Sequence, residues 1–561
     1  MKFNEIKTRN DLANLIEVPK NKLTYVLYIL KVDSQYTDFE IPKKSGGKRT
    51  ISSPRSDLKS IQRSLSNSLV EYEIELSKEK NKRKVSHGFE KERSIITNSQ
   101  AHRNKRFVCN MDIENFFESF HFGRIRGFFE KNNDFLLPRE VATVIAQICC
   151  YKGKLPQGAP TSPVITNFIC RILDMRIISI AQKYKLDYTR YADDLTFSTN
   201  DKFFLVQYGK FVESLKKEVC NFGLEINDKK TRLQFKSSRQ EVTGLVVNNR
   251  VNVKREFYKH TRAMAYKQYT TGEFEVNDEK GSLNQLEGRF SFINMLEKEN
   301  NKGKNKSLAE LSNREKDYKK FLFYKNFIVN KKPLIMTEGK TDISYLKSAL
   351  KKHYKDYPNL ITKSGKGFQF HITFFNRTSK FKYFFGLQKE GADTLTAFYQ
   401  NYYFDSKKDR LKYPNYGEYF KNCGLGITGK PIIYIFDNEI ESSKPLKKFM
   451  NVVISEKIKN EEDFVKVIKD KLYVHVEENI YVLTNPLIGE KLECEIEELF
   501  EPEILNKEIG GKKFSRASKI DTKKEYGKEI FSDYVKKNYE NIDFSKFIPM
   551  LNSLNEICIL K

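Results

Sequence analysis

No apolar run in this chain of 561 residues approaches the roughly 18 to 20 residues that a membrane-crossing helix needs. The opening residues, MKFNEIKTRNDL, lack the apolar segment of a secretory signal, so the expected setting is the cytoplasm, with no membrane partner. Cysteine is sparse: the 8 thiols, at 109, 149, 150, 170, 220, 423, 494 and 558, form no CxxC pair and no Cys/His cluster. That excludes a disulfide framework and a zinc site, and it predicts reduced, mostly buried thiols. No internal repeat is present, so a repeat array is excluded as well.

What is present is core material and positive charge. Hydrophobic residues at 39% and aromatics at 13% outweigh the disordering tendency of 31% charged residues, and the length implies several domains of about 100 to 200 residues each. Net charge is +27, from 100 Lys and Arg against 73 Asp and Glu. The excess is concentrated early: 60 basic against 40 acidic residues over 1–330, then 40 against 33. Lys and Arg that neutralise phosphates release condensed counterions, so this balance nominates a nucleic-acid partner. A lysine-rich proteome would produce the same balance.

The pattern along the chain is α/β. Residues 1–104 hold amphipathic helical stretches and a Gly-rich basic hairpin signal, IPKKSGGKRTIS. Over 105–250, strand-like runs (RFVCNMDI, YTRYADDLTFS, EVTGLVVN) alternate with helices, as in a layered α/β palm. Residues 251–330 read as helices joined by polar segments, and a new α/β unit over 331–561 starts with the buried strand KKPLIMTEG.

Three carboxylates in the first part fall at strand ends. Asp112 closes RFVCNMD, and Asp193 and Asp194 sit in YADD between YTR and LTFS. Aligned on neighbouring strands, they could hold two divalent cations that activate a sugar hydroxyl and brace a leaving pyrophosphate. Between them, LPQGAPTSPVITN places Gln157 and Gly158 in a stiff turn before an apolar helix, where glycine permits close approach. Lys230 follows in a turn, and VTGLVVN reads as a hairpin.

In this order, over roughly residues 10–320, the elements resemble the retron reverse transcriptases, relatives of group II intron and retroviral enzymes. The resemblance implies a right-hand polymerase fold of fingers (1–104), palm (105–250) and helical thumb (251–330). It places the catalytic, Mg²⁺-binding aspartates at Asp112, Asp193 and Asp194, the sugar-discriminating aromatic at Phe117, and the nucleotide pocket at Gln157 and Gly158. Lys230 matches the lysine that protonates pyrophosphate. The fingers hairpin implicates Lys44 and Arg49 at the triphosphate of the incoming dNTP, with the contacting lysine left open. Asn98, Ser99 and His102 match an Asn-Ala-x-x-His element in which Ser99 replaces the usual Ala, and Val242, Thr243 and Gly244 match an element associated with recognition of the cognate RNA. The implied activity is synthesis of branched DNA (msDNA) on the chain's own structured non-coding RNA, started from a guanosine 2'-hydroxyl. Basic thumb helices would grip the duplex by its backbone.

A second group of carboxylates lies in the last part. Glu338 follows the strand KKPLIMT, Asp342 lies four residues on, and Asp437 and Glu439 flank Asn438 after PIIYIFDNE. Carboxylates after two strands of an α/β sheet suit a Mg²⁺ site at the carboxyl edge. The pattern EGKTD with strand-DNE resembles the TOPRIM fold, in the form found in OLD-type nucleases, although the usual Asp-x-Asp stands here as Asp-Asn-Glu. This implies a Mg²⁺- or Mn²⁺-dependent nuclease acting on a nucleic-acid target, with Glu497 or Glu498 as a later acidic ligand and Lys523 as a basic group near the scissile phosphate. The combined expectation is a reverse transcriptase fused to an effector nuclease for phage defence, with self-association open. The other readings are a group II intron-like mobile-element enzyme and an inactive nucleic-acid scaffold.

Overall fold

The computed structural model describes residues 2–42, 46–80, 84–365, 367–387, 393–403, 413–440, 444–454, 461–517 and 520–560; Lys44, expected at the triphosphate, lies outside them. By packing, the chain divides into two units, Met1–Arg255 and Glu256–Lys561. Among the described residues no helix is long and apolar enough to cross a membrane.

In the first unit, β1 (Tyr36–Pro42) and β2 (Lys48–Pro54) form the basic hairpin, with Ile41 opposite Arg49 and Pro42 opposite Lys48. The strand-like runs of the palm are strands. β3 (Phe107–Asp112), β4 (Asp187–Tyr191), β5 (Asp194–Thr199) and β6 (Arg232–Phe235) form an antiparallel sheet in the order β4-β5-β3-β6. Alternation along β3 sends Phe107, Cys109 and Met111 into the hydrophobic core and leaves Asn110 and Asp112 on the opposite face. Helix Ser162–Lys183, with Pro163 in its first turn, buries Val164, Ile165, Phe168 and Leu173 and packs against β4. Helix Ile95–Ala101, N-capped by the Ser94 hydroxyl, touches β4 and the small hairpin of β7 (Glu241–Val242) and β8 (Leu245–Val246).

The second unit is built on a five-stranded sheet. β9 (Leu334–Thr337), β10 (Thr373–Phe374), β11 (Ile432–Phe436), β12 (Tyr473–Glu477) and β13 (Ile480–Thr484) lie in the order β10-β9-β11-β13-β12, all parallel except β12. The runs LIMT and IIYIF are buried along their whole length, because helices cover both faces. Leu334, Met336, Ile432, Tyr434 and Phe436 point to one face, where they share a core with Tyr269, Leu286, Phe290 and Phe323. These last four come from helices Arg255–Thr271, Leu283–Asn300 and Asn313–Phe323. The other face, with Ile335, Ile433 and Ile435, packs on Leu346 of helix Lys340–Lys352, Phe531 of helix Lys528–Asn538 and Leu551 of helix Ile548–Ile559. The sequence pattern draws a line near residue 331 between helices and sheet, whereas the aromatic faces of those helices bury themselves against the sheet that follows. The parallel edge strand β10 and the hairpin β12–β13 carry no motif in the sequence reading.

Candidate active sites

The carboxylates of the first unit are brought together by strand register. β3 and β5 pair so that Asp112 stands opposite Asp194, and Tyr191 pairs with Asp194 across the two-residue turn Ala192-Asp193. The Ile113 amide donates to the Asp193 carbonyl at 3.0 Å, and the Asn227 amide to the Asp112 carbonyl at 2.8 Å. Lys230, in the turn Asp228–Lys230, donates to both carboxylate oxygens of Asp112 at 2.8 and 2.9 Å. Burial raises the Asp193 carboxyl, with the Asp112 charge adding to it. Asp194 is pushed up to about 7 by burial and by the charges of Asp193 and Asp112, with Lys230 opposing. Three acids within mutual repulsion are a cluster short of positive charge.

A cavity of about 1180 Å³ opens at these residues and is lined by Asp112, Asp193, Arg49, Gln157 and Lys230 among others. Phe116 lines it too; the expected sugar gate, Phe117, is half-buried and packs edge-on against Phe116 with ring centroids 5.3 Å apart. The hairpin and the Gln157-Gly158 turn are joined, since the Ser52 amide donates to the Gln157 carbonyl at 2.8 Å. At Gly158, φ is 122°, and a Cβ would stand 2.7 Å from the Ser52 carbonyl oxygen. Only glycine fits this contact.

The strand turn is held from behind by residues the sequence reading passed over. Arg190 is fully buried and donates through Nε and Nη2 to the two oxygens of Asp174 at 2.9 and 2.8 Å. Its Nη1 reaches Asn167 Oδ1 at 3.2 Å and the Ala192 carbonyl at 3.3 Å. The Tyr188 hydroxyl also donates to Asp174, at 2.8 Å. Arg190 is the fourth of the five residues of β4 (DYTRY), a setting that does not by itself mark it for burial; the buried acid opposite is what makes that burial tolerable.

Of the residues expected to bind RNA, Asn98, His102 and Val242 are interior, Thr243 is half-buried and Gly244 is exposed. Asn98, Ser99 and His102 are fully buried. His102 is bonded on both ring nitrogens, Nδ1 to Ser198 Oγ and Nε2 to Thr189 Oγ1, each at 2.7 Å, and Thr189 donates to Asn98 Oδ1 at 2.6 Å. Val242 is buried, while Thr243 and Gly244, at φ 45° and 82°, turn the chain between β7 and β8. These groups tie helix Ile95–Ala101 to the palm sheet and to the hairpin.

In the second unit, Glu338 and Asp437 follow the adjacent parallel strands β9 and β11, and the Asp437 amide donates to Glu338 Oε1 at 3.2 Å. Asp342 caps its helix, accepting from the Gly339 amide at 2.8 Å. Asp437 Oδ1 accepts from Asn485 Nδ2 and the Ile496 amide, each at 2.8 Å. Burial first, and then Asp437, Asp342 and Glu439, push Glu338 up to about 9. Burial, Asp342 and Glu497 push Asp437 up to about 8. Glu497 is fully buried close to the Tyr345 hydroxyl, with no donor in good bonding geometry at Oε1, while Oε2 accepts from Lys528 at 3.0 Å. Glu439 is buried and paired with Lys444. Glu498 is bonded instead to Arg516 and Lys491. Lys523 lies in an exposed turn; the basic residue among the carboxylates is Lys528, whose charge reaches Asp342 and Asp437 as well.

Among the described residues, no three His, Cys, Asp or Glu side chains are gathered as a group able to hold a metal ion. Lys230, Lys444 and Lys528 each pair with one carboxylate of the two clusters. The donors nevertheless suit a hard divalent cation: all are carboxylates, with Asp112, Asp194, Glu338 and Asp437 at or just after strand ends, Asp342 in the first turn of a helix and Glu497 in a short helical turn.

A family model described as reverse transcriptase (RNA-dependent DNA polymerase) matches residues 41–248. The retron Ec86 reverse transcriptase of Escherichia coli is 34% identical over 277 residues, an alignment covering 49% of this chain and 82% of that protein. Two Myxococcus xanthus proteins also match. The retron Mx162 reverse transcriptase is 32% identical over 330 residues, with 52% of this chain and 64% of that protein aligned. For the retron Mx65 reverse transcriptase the values are 31% over 282 residues, 47% and 62%. Each alignment covers about half of this chain, and less than two thirds of either Myxococcus protein is spanned.

Proposed function

Because the chain belongs to the retron reverse transcriptases, we propose that it copies a cognate structured RNA into single-stranded DNA that remains branched to that RNA through a guanosine 2'-oxygen, and that its second unit is a TOPRIM-like effector nuclease serving phage defence. RNA-directed DNA polymerase activity is the part common to its relatives. The observation that carries the polymerase reading is the pairing of Asp112 with Asp194 beside Asp193, on a cavity bounded by Arg49 and Lys230.

Asp112, Asp193 and Asp194 would hold Mg²⁺, which when bound lowers the pKa of an attacking hydroxyl and neutralises charge on the triphosphate. Arg49 is placed to grip phosphate oxygens, a task suited to a guanidinium. Lys230 is the counter-ion of Asp112 at rest; released from it, the ammonium stands beside the leaving pyrophosphate and can give it a proton. Gln157 and Gly158 form the floor under the nucleotide, fixed to the hairpin through Ser52.

For the effector reading, the support is the grouping of Glu338, Asp342, Asp437 and Glu497 at the carboxyl edge of a parallel sheet, where ligands collect. These residues would hold Mg²⁺ or Mn²⁺, and Lys528 replaces Lys523 as the basic group in this proposal.

The test is to express the chain with the DNA that precedes its gene and to extract nucleic acid. Wild type should yield a branched RNA-DNA species, Asp194→Asn none, and Glu338→Gln a normal amount, with both variants failing to protect cells from phage. Branched DNA from Asp194→Asn would remove the polymerase assignment. Full protection by Glu338→Gln would remove the nuclease.

A further inference from the structure

Beside the second carboxylate cluster lies a cavity of about 280 Å³ whose wall carries the opposite charge. Thr337, Gly339, Lys340, Arg377 and Thr378 contribute to it. Arg377 follows the edge strand β10, and its Nη2 donates to the carbonyl of Thr337, the last residue of β9. Its Nη1 is buried and has no acceptor in the protein. The guanidinium lies within electrostatic reach of Asp342 and Glu338. Lys340 pairs with Glu529 at the surface, where both side chains are more than half exposed, and such pairs contribute little.

A buried donor without an acceptor is costly, so a guanidinium fixed at one end and unsatisfied at the other is suited to an acceptor that arrives with a ligand. Carboxylates next door, with cations and hydroxyls lining the cavity itself, select an anion that can stand close to a metal-binding cluster. A phosphodiester meets this description: one phosphate takes the donors of Arg377, Lys340 and Thr378, and its neighbour along the strand lies toward Glu338 and Asp437.

We propose that Arg377 anchors a backbone phosphate of the nucleic-acid strand in this cavity, one phosphate away from the carboxylates. The anchoring stands on the cavity and the guanidinium; only the placement of the neighbouring phosphate rests on the nuclease reading.

The experiment uses the full chain in EDTA and follows backbone hydrogen exchange over residues 334–342 and 373–380, with and without a short single-stranded DNA. Wild type should be protected there by DNA, Arg377→Gln should not, and Arg377→Lys should recover part of the protection. Arg377→Gln should weaken the local, DNA-dependent protection by about 10- to 100-fold in DNA concentration, the worth of one charge-assisted contact, and lower the salt dependence of that protection by about one phosphate. Where Mg²⁺ or Mn²⁺ supports cleavage, the same variant should raise KM with kcat little changed. Protection unchanged in Arg377→Gln overturns the proposal, as does inorganic phosphate protecting at lower concentration than the DNA. Arg377-dependent protection in a chain that cleaves neither DNA nor RNA would leave the anchor standing and remove the nuclease reading instead.

Discussion

The Ser99 hydroxyl donates a hydrogen bond of 2.9 Å to the Val242 carbonyl, joining two elements that lie 143 residues apart in sequence. Ser99 also lies 3.2 Å from the Thr243 hydroxyl, and Thr243 donates to the Ile95 carbonyl at 3.2 Å. The serine that departs from the usual alanine is therefore a clamp between helix Ile95–Ala101 and the β7–β8 hairpin. Ser99→Ala should lower stability by about 1 kcal/mol, the net worth of a buried hydrogen bond, measured by urea denaturation, with primer extension on an unrelated RNA template unchanged. A variant of unaltered stability that fails to bind the cognate RNA would give the hydroxyl a recognition role instead.

Gly158→Ala should separate the fingers hairpin from the palm. The added methyl would stand 2.7 Å from the Ser52 carbonyl oxygen and 3.0 Å from Ile51 Cγ2, at a φ of 122°, and the Ser52 backbone leaves little room to yield. Displacement of the hairpin that carries Arg49 should reduce kcat/KM for dNTP by up to about 100-fold while RNA binding persists. Steady-state kinetics on a primed template, beside a gel-shift measurement, decide it.

Arg190 and Asp174 should behave as one unit. Removing either charge alone strands the other in the interior and should cost about 3 to 5 kcal/mol, so Asp174→Asn and Arg190→Gln are both expected to destabilise strongly. The pair Arg190→Met with Asp174→Leu should recover much of that stability but leave the Ala192 carbonyl without its donor. Polymerisation by the double variant should then fall more than its melting temperature does. Full activity in a stable double variant would mean that the turn needs no support from behind.

His102 should make the first unit sensitive to acid. Burial pushes its pKa down to about 3, with the nearby Asp187 charge opposing. In the unfolded chain the ring takes a proton near 6.5, and in the folded protein it stays neutral until much lower pH. Stability from this residue is thus fully present above about pH 6.5 and falls as the pH drops toward 3. At pH 5 the loss is about 2 kcal/mol. His102→Gln should be less stable at pH 7 yet lose less between pH 7 and pH 5 than the wild type, as measured by urea midpoints at the two values.

Much of the site was legible because catalytic chemistry restricts local pattern. An acid that closes a strand of alternating apolar residues, or sits between two strand runs, is visible at Asp112 and in Tyr191-Ala192-Asp193-Asp194, and the register of β3 with β5 then joins them. In the same way, Glu338 and Asp437 are marked by the fully buried strands before them. The supporting residues were not legible in this way. Arg190 falls within a strand-like run, Lys528 is one lysine among many, and Arg377 belongs to no motif of the sequence, since nothing local distinguishes a charged residue that will be buried from one that will be solvated.

By itself, then, the sequence determined the strand runs of the palm and the two buried strands before Glu338 and Asp437, the acids at their ends and the family to which the first half belongs, because these depend on period-two alternation and short-range spacing. Tertiary structure alone decided that Asn98, Ser99 and His102 face inward, that Lys528 rather than Lys523 lies among the second set of acids, and that the helices after Arg255 share a core with the sheet beginning at Leu334. Each of these depends on which surfaces meet across long stretches of chain. Burial and charge pairing are properties of that meeting, and no local pattern encodes them.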